Sequence, residues 1–386
     1  MNKIKIGDYI ETITDYHANG AYEKLKENVE LKSEKDYAVM IRTLNFEQND
    51  FKDNLIYIDE AAYNYLAKSK VQTNDILMNK IANPGSVYIM PEFEGPVSCG
   101  MNLFLIRFNE KVDQRYMYYN MKHNEAYIKS LAHGTTTKTI TKDEVRNIEL
   151  FVHDSKEQKR IADFLQNIDK KIRLLEKNID DCHEYISKLY NYYIIQKGKD
   201  TKKVKLKTFL EFERGVEVGA DNYSSFNDGT LVKFYRVSDM LGNCETYTKK
   251  ELANGKYICS DDIGVSFDGT VGKVTYGIEG IYSTGIRKII SKDGRLSNAV
   301  IYAIFTSEEI QLTIQRHATG SNILHASEAI NHLEIPFDDK NINILNDAIL
   351  PVFEQMKINK KEITRLQNLK KKMISLLMNG QVRLKK

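Results

Sequence analysis

Ile161, Leu165, Ile168, Ile172, Leu175, Ile179, Cys182, Ile186, Leu189 and Tyr193 alternate at spacings of four and three, an apolar heptad seam in the middle of the chain. A strict a/d repeat sustained beyond four heptads marks a coiled coil, and such a seam needs a partner helix to cover it. The same spacings recur at Leu345, Ile349, Val352, Met356, Asn359, Ile363, Leu366, Lys370, Met373 and Leu377, with polar residues only at Asn359 and Lys370. Two matched seams in one chain are expected to pack on each other. Asn359 and Lys370 then cost stability but set register and partner choice. Pro351 should kink the second helix or mark its restart.

The repetition extends upstream of the seams. Asp75-Ile76 and Asn83-Pro84-Gly85-Ser86-Val87 correspond to Asp262-Ile263 and Thr270-Val271-Gly272-Lys273-Val274. Gly95-Pro96-Val97-Ser98-Cys99-Gly100-Met101 corresponds to Gly280-Ile281-Tyr282-Ser283-Thr284-Gly285-Ile286, and Ile148-Glu149-Leu150 to Leu333-Glu334-Ile335. The chain therefore reads as a tandem duplication of a globular segment followed by a long helix. The expected division is a globular domain at 1–152, a helix at 153–197, a basic linker at 198–203, a second globular domain at 204–340, a helix at 341–380 and a basic tail at 381–386. The first half carries extra residues before Arg42. Each globular segment precedes its helix, and the linker is short, so the helices should run antiparallel with approximate two-fold symmetry and a globular domain at each end.

Strand signals cover Tyr37 to Thr43, Asn54 to Ile58, Gly85 to Met90, Asn102 to Phe108, Thr230 to Val237, Gly272 to Tyr276 and Gly285 to Ser291. Helical stretches lie between them at Asp59 to Lys68, Gln114 to Ala132 and Ser297 to Arg316. Strands and helices do not alternate strictly, which points to α+β rather than a doubly wound parallel sheet.

With 42% hydrophobic and 28% charged residues, the composition is that of an ordinary globular protein. No apolar run reaches the roughly 18–20 residues of a membrane span, and no secretory leader opens the sequence, so a cytoplasmic protein without membrane contact is expected. The four cysteines lack C-x-x-C spacing, and Cys182 reads as a small hydrophobe on the seam. A net charge of +3 says little about partners. Basic residues concentrate at Lys197 to Lys207 and Lys370 to Lys386, runs that suit nucleic acid or simply a solvated linker and a frayed tail.

Three segments are more specific. Ser155-Lys156-Glu157-Gln158-Lys159-Arg160-Ile161-Ala162-Asp163-Phe164-Leu165, continuing through Ile168-Asp169-Lys170-Lys171-Ile172, resembles the central conserved region of type I restriction-modification specificity subunits. Asp261-Asp262-Ile263-Gly264-Val265-Ser266-Phe267-Asp268-Gly269-Thr270-Val271-Gly272-Lys273-Val274 resembles the strand-and-turn motif of that family's target recognition domains. Ala318-Thr319-Gly320-Ser321-Asn322 through Leu333-Glu334-Ile335-Pro336 is similar to the segment leading into its conserved helices. The resemblance covers essentially the whole chain. It implies a non-catalytic subunit that binds double-stranded DNA and assembles with two N6-adenine methyltransferase subunits and, for cleavage, ATP-driven motor-nuclease subunits. S-adenosylmethionine, ATP and magnesium are then expected on those partners. The first domain departs from the pattern, with Asn83-Pro84-Gly85-Ser86-Val87 where the second has the Gly-Thr-Val-Gly-Lys turn.

Enzyme motifs are missing. Phe267-Asp268-Gly269-Thr270-Val271-Gly272-Lys273-Val274 imitates a P-loop but has Phe for its first Gly and Val where Ser or Thr would meet magnesium. No N-P-P-Y or D-P-P-Y, G-x-G-x-x-G or H-E-x-x-H segment occurs. Candidates for DNA contact come from loops joining the duplicated strands, because loops vary at little cost to a scaffold. In the first half these are Arg42, Thr43, Asn79, Lys80, Thr135, Thr136, Thr137 and Lys138. In the second they are Arg236, Ser238, Asp268, Lys273, Arg287, Arg316, Ser321 and Asn322. Asn pairs bidentately with adenine and Arg or Lys with guanine, while hydroxyls and ammonium groups suit phosphates. Each also fits an ordinary solvent-exposed or capping role. Tyr116, Tyr118 and Tyr119 fit packing better than base stacking. The alternatives are a specificity subunit of a related multisubunit methylating nuclease, a coiled-coil scaffold without a DNA role, and a lone methyltransferase.

Overall fold

The structure, a computed structural model, describes residues 1–242, 244–320 and 324–384. It divides into two compact units, Met1–Lys171 with Leu366–Lys386, and Ile172–Arg365. Both are α+β, and both are built on one plan.

In the first unit, Asn2–Lys5 pairs antiparallel with Glu149–Val152 and closes the domain where the long helix leaves it. An antiparallel sheet runs in the order Ile10–Asp15, Leu103–Phe108, Ile76–Asn79, Val87–Ile89. A second sheet runs Tyr57–Ile58, Ala38–Ile41, Val97–Cys99, Lys70–Val71, with its central pair parallel. Strand Ile76–Asn79 is buried on both faces, which explains why it lacks alternation in the sequence. Ile76 and Met78 join a core with Tyr116, Met117 and Leu165, while Leu77 joins Leu103, Leu105 and Val97 on the side of the second sheet.

The second unit repeats this order strand for strand. Lys203–Lys205 pairs with Glu334–Pro336, and one sheet runs Leu210–Arg214, Ile286–Ser291, Ile263–Ser266, Val274–Thr275. The other runs Tyr247–Thr248, Val232–Tyr235, Gly280–Tyr282, Tyr257–Ile258, again with a parallel central pair. Of the expected linker at 198–203 only Gly198 is buried, where a Cβ would lie 2.1 Å from the Ile194 carbonyl oxygen, while Lys199, Asp200, Lys202 and Lys203 are exposed. The extra residues before Arg42 form Tyr22–Asn28, whose Leu25 shares a small core with Tyr16, Met40 and Leu66.

The sequence places several elements too long. Tyr37 to Thr43 shortens to Ala38–Ile41, because Asn45 Oδ1 accepts the Arg42 amide and starts the helix Thr43–Glu47. The stretch from Gln114 breaks into Gln114–His123 and Glu125–Ser130, and that from Ser297 into Asn298–Thr306 and Glu308–Arg316.

The long helices are Ser155–Tyr190, continued by a π turn at Asn191–Gln196, and Asp339–Met378. Each starts on an aspartate. Asp154 Oδ1 accepts the Glu157 amide at 3.0 Å, and Asp338 Oδ1 the Asn341 amide at 2.8 Å. The expected restart at Pro351 does not occur. The helix runs through it, with Pro351 facing solvent and Ile349, Phe353 and Met356 buried on the other side.

All the seam positions are buried or half-buried. Within the first unit Asp169 meets Lys370, and Arg160 donates to the Leu384 carbonyl at 2.7 Å. Within the second, Asn178 meets Asn359, while Ile186 and Tyr190 share a core with Leu345 and Ile349. In each unit rising numbers on one helix meet falling numbers on the other, which is antiparallel pairing. The seams also do more than pair. Ile161, Leu165 and Leu377 belong to the first domain's core, and Ile186, Leu345, Ile349 and Met356 to the second's. Full burial of each such side chain contributes about 1.5–3 kcal/mol.

Candidate nucleic-acid interface

Strand register gathers most of the candidate residues onto one edge of each domain. In the first unit Ile41 faces Cys99, Asn79 faces Leu103 and Asp15 faces Phe104. Arg42, Thr43, Lys80 and the turn at 100–102 therefore follow one another along the same edge. A bridge between Ile81 and Thr139 brings in the loop at 134–138, which a second bridge, His133 to Thr139, closes at its root. Thr135, Thr136, Thr137 and Lys138 are all exposed on that loop.

Asn79 and Lys80 require correction as open loop residues. Asn79 ends a buried strand, is 2% exposed, and accepts the Thr43 hydroxyl at 2.5 Å. Lys80 is 9% exposed, with its Nζ 2.5 Å from Asp15 Oδ2. Both are enclosed by these partners and do not stand open on a loop. Arg42 is half-buried and donates from Nη2 to the Asn54 carbonyl at 2.8 Å.

Asp15 was not among the candidates, yet it organises this edge. Lys142 Nζ lies 2.9 Å from its Oδ1, and the Lys80 and Lys142 ammonium groups sit 5.7 and 5.9 Å from the Phe104 ring centre. Burial pushes the Asp15 carboxyl up, but hydrogen bonds from Lys80 and Lys142 outweigh it and hold the group below its ordinary value. Burial, reinforced by the Lys80 charge, lowers His17, whose Nδ1 is 3.2 Å from Lys80 Nζ. No local spacing signals this cluster, since Asp15 lies 65 residues from Lys80 and 127 from Lys142.

The second unit builds the equivalent edge. Tyr235 faces Tyr282, Ser266 faces Ile286 and Arg214 faces Arg287. Arg236 and Ser238 are exposed there, both directed to Asp239: Arg236 Nε at 3.2 Å and the Ser238 hydroxyl at 3.0 Å. Arg287 is corrected from a loop residue to a strand residue. It is 6% exposed, donates from Nη2 to Ser327 Oγ at 2.9 Å, and burial lowers its pKa. Asp268 is half-buried, with Oδ1 2.7 Å from His325 Nδ1. Arg316 is exposed at the end of Glu308–Arg316, shortly before this edge's loop. Ser321 and Asn322 lie outside the described residues.

Lys273 is half-buried on the turn between Ile263–Ser266 and Val274–Thr275. Ser266 Oγ donates to the Thr270 carbonyl at 2.6 Å and accepts the Lys273 amide at 2.9 Å. The P-loop-like string is thus a hairpin turn between antiparallel strands, not a loop opening a helix. The first unit forms the same turn from a different sequence. Gly85 and Gly272 both adopt positive φ, at 85° and 84°, and donate their amides to Asn79 and Ser266 carbonyls. The departure at residues 83–87 leaves the turn intact.

Tyr116 and Tyr119 are buried in the domain core and Tyr118 is half-buried, as packing residues should be. Among the described residues, no helix is long and apolar enough to cross a membrane, and no group of three or more His, Cys, Asp or Glu is placed to hold a metal ion.

The sequence profile of the type I restriction modification DNA specificity domain matches residues 2–181. The chain is 23% identical to the type I restriction enzyme MjaX specificity subunit of Methanocaldococcus jannaschii over 422 aligned residues, covering 100% of this chain and 97% of that one. It is 22% identical to the MjaVIII specificity subunit of the same organism over 350 residues, 82% of this chain and 80% of that one. The crystal structure of a type I restriction-modification system S subunit from M. genitalium shares the fold, with a TM-score of 0.59 at 14% identity, covering 97% of this chain and 95% of that chain. A profile match across the first domain and most of its helix, together with relatives spanning both repeats, makes the chain similar along its length to type I restriction-modification specificity subunits.

Proposed function

We propose that each α+β unit reads one block of a bipartite double-stranded DNA target, while the paired helices set the spacer and dock two N6-adenine methyltransferase subunits. The chain carries no catalytic group of its own in this reading. S-adenosylmethionine belongs to the methyltransferase subunits, ATP and magnesium to motor-nuclease subunits that join for cleavage, and the complex works in the cytoplasm. The observation that carries the reading is the duplicated edge. One topology occurs twice, and each copy carries hydroxyl and basic side chains at the same edge, exposed at Thr135–Lys138 in the first unit and at Arg236 and Ser238 in the second. A shared scaffold with unlike surfaces suits two half-sites of unlike sequence, centred roughly 10 bp apart.

Mapping adenine methylation in cells that hold the chain and its methyltransferase tests this. Two short specific blocks around a non-specific spacer are expected, and exchanging residues 1–152 for those of a homologue should change one block only. A continuous motif, or methylation that ignores the exchange, overturns the reading; protection of no DNA by the assembled complex leaves a coiled-coil scaffold instead.

A further inference from the structure

We propose that Asp15 is a positioning residue for specificity: through two lysines it grips the descending leg of the loop at 134–138 and so sets the pose in which Thr135–Lys138 meet the first DNA block. The inference rests on the DNA-specificity reading above and names a residue that reading does not need.

Both Asp15 oxygens are committed, Oδ2 to Lys80 and Oδ1 to Lys142. Both lysines hold the descending leg, where the chain leaves the loop. Lys80 precedes the Ile81–Thr139 bridge, and its carbonyl accepts the Ile140 amide at 3.1 Å. Lys142 follows the loop, at the first turn of Lys142–Arg146. Enclosed ion groups of this kind give little net stability over apolar packing, yet they admit few alternative geometries. A grip at the root of an exposed loop therefore constrains pose more than it adds to the core.

The second unit reaches the same result from other positions. Register equates Asp15 and Phe104 with Arg214 and Arg287, and the Ile81–Thr139 bridge with the Asp268–His325 bridge. Where the first unit has Asp15 the second has Arg214, and the carboxylate moves to Asp268, onto the bridge itself. Asp268 holds the descending leg through His325 at 2.7 Å, with Arg287 Nη1 3.9 Å from its other oxygen and Arg287 Nη2 bonded to Ser327. Core packing alone would keep apolar shape at these places. A carboxylate grip rebuilt from non-equivalent residues points instead to control of the loop.

The test uses the full chain assembled with its methyltransferase subunits and a panel of duplexes carrying single-base changes in either block. Lys142→Met loosens the descending leg while leaving Asp15 paired with Lys80. Discrimination against first-block mismatches should fall about tenfold, within the range a single mismatch commands, and second-block discrimination should hold. Lys142→Arg should restore it, and His325→Ala should relax the second block alone. If Lys142→Met does not fold, the charge-neutral pair Asp15→Asn with Lys80→Met should produce the same first-block loss. Unchanged discrimination in a folded variant overturns the proposal. So does an equal loss of affinity for matched and mismatched duplexes, which would make Lys142 a phosphate contact. A wild-type complex that selects neither block removes the functional reading itself.

Discussion

Asn359, 4% exposed on the second long helix, donates from Nδ2 to Asn178 Oδ1 on the first at 2.6 Å, while its own Oδ1 accepts Gln355 Nε2 at 2.9 Å. One polar pair in an apolar seam is satisfied only when these two residues stand opposite each other, so it penalises every other register. Lys370 does comparable work in the first unit, where it meets Asp169, itself held by the Tyr119 hydroxyl at 2.6 Å.

Asn359→Ala should destabilise the chain by about 1–2 kcal/mol, because it removes two hydrogen bonds and leaves a small cavity. Asn359→Leu should recover most of that loss, filling the space with apolar volume. Chemical unfolding of the two variants, read by circular dichroism, checks the order.

Ile172 and Ile363 are 8% and 9% exposed on the paired helices. Placing an unpaired carboxylate at either position should cost about 3–5 kcal/mol by the precedent of broken buried pairs. Ile172→Glu and Ile363→Glu should therefore abolish assembly with the methyltransferase subunits, seen as loss of co-elution in gel filtration. Assembly that persists while methylation moves to different sites would contradict a docking role.

Lys273 stands half-exposed after the Gly272 turn. Lys273→Ala should weaken DNA binding alike across sequences and reduce the slope of log affinity against log salt by about one, the signature of one lost phosphate contact. A salt series on matched and mismatched duplexes reads this, and an unchanged slope removes Lys273 from the DNA surface.

Lys360 donates to the Tyr276 carbonyl at 2.6 Å with its ammonium 4.5 Å from the Tyr276 ring centre, and burial lowers its pKa to about 8. Between that value and the ordinary 10.5 the unfolded chain binds more protons than the folded one. Stability contributed by this site should therefore rise with pH through the window, and its penalty should be fully present below it. Lys360→Met should raise stability at neutral pH by about 2 kcal/mol, net of the lost hydrogen bond, and flatten the alkaline rise. Melting temperatures of both proteins across that pH range provide the measurement.

Residue order alone determined the long helices and the duplication, because a heptad seam and a repeated motif are local or periodic signals that survive without tertiary information. The seam positions from Ile161 to Tyr193 and from Leu345 to Leu377 are buried or half-buried as their spacing requires. The exposed loop at Thr135 to Lys138 and the surface placement of Arg236 and Ser238 were legible for the same reason, as polar residues beyond strand ends. Only the tertiary structure decided that Asn79, Lys80 and Arg287 are enclosed, since a polar residue ending a strand looks alike in sequence whether a distant partner covers it or water does. Asp15 could not be singled out because its meaning lies in Lys80 and Lys142, brought to it by strand register across long stretches of chain. The short strands also escaped the pattern where both faces are buried, as in Ile76–Asn79, since alternation vanishes when neither side meets solvent. Periodicity records which face of an element is dry; which charges face one another depends on the fold that brings them together.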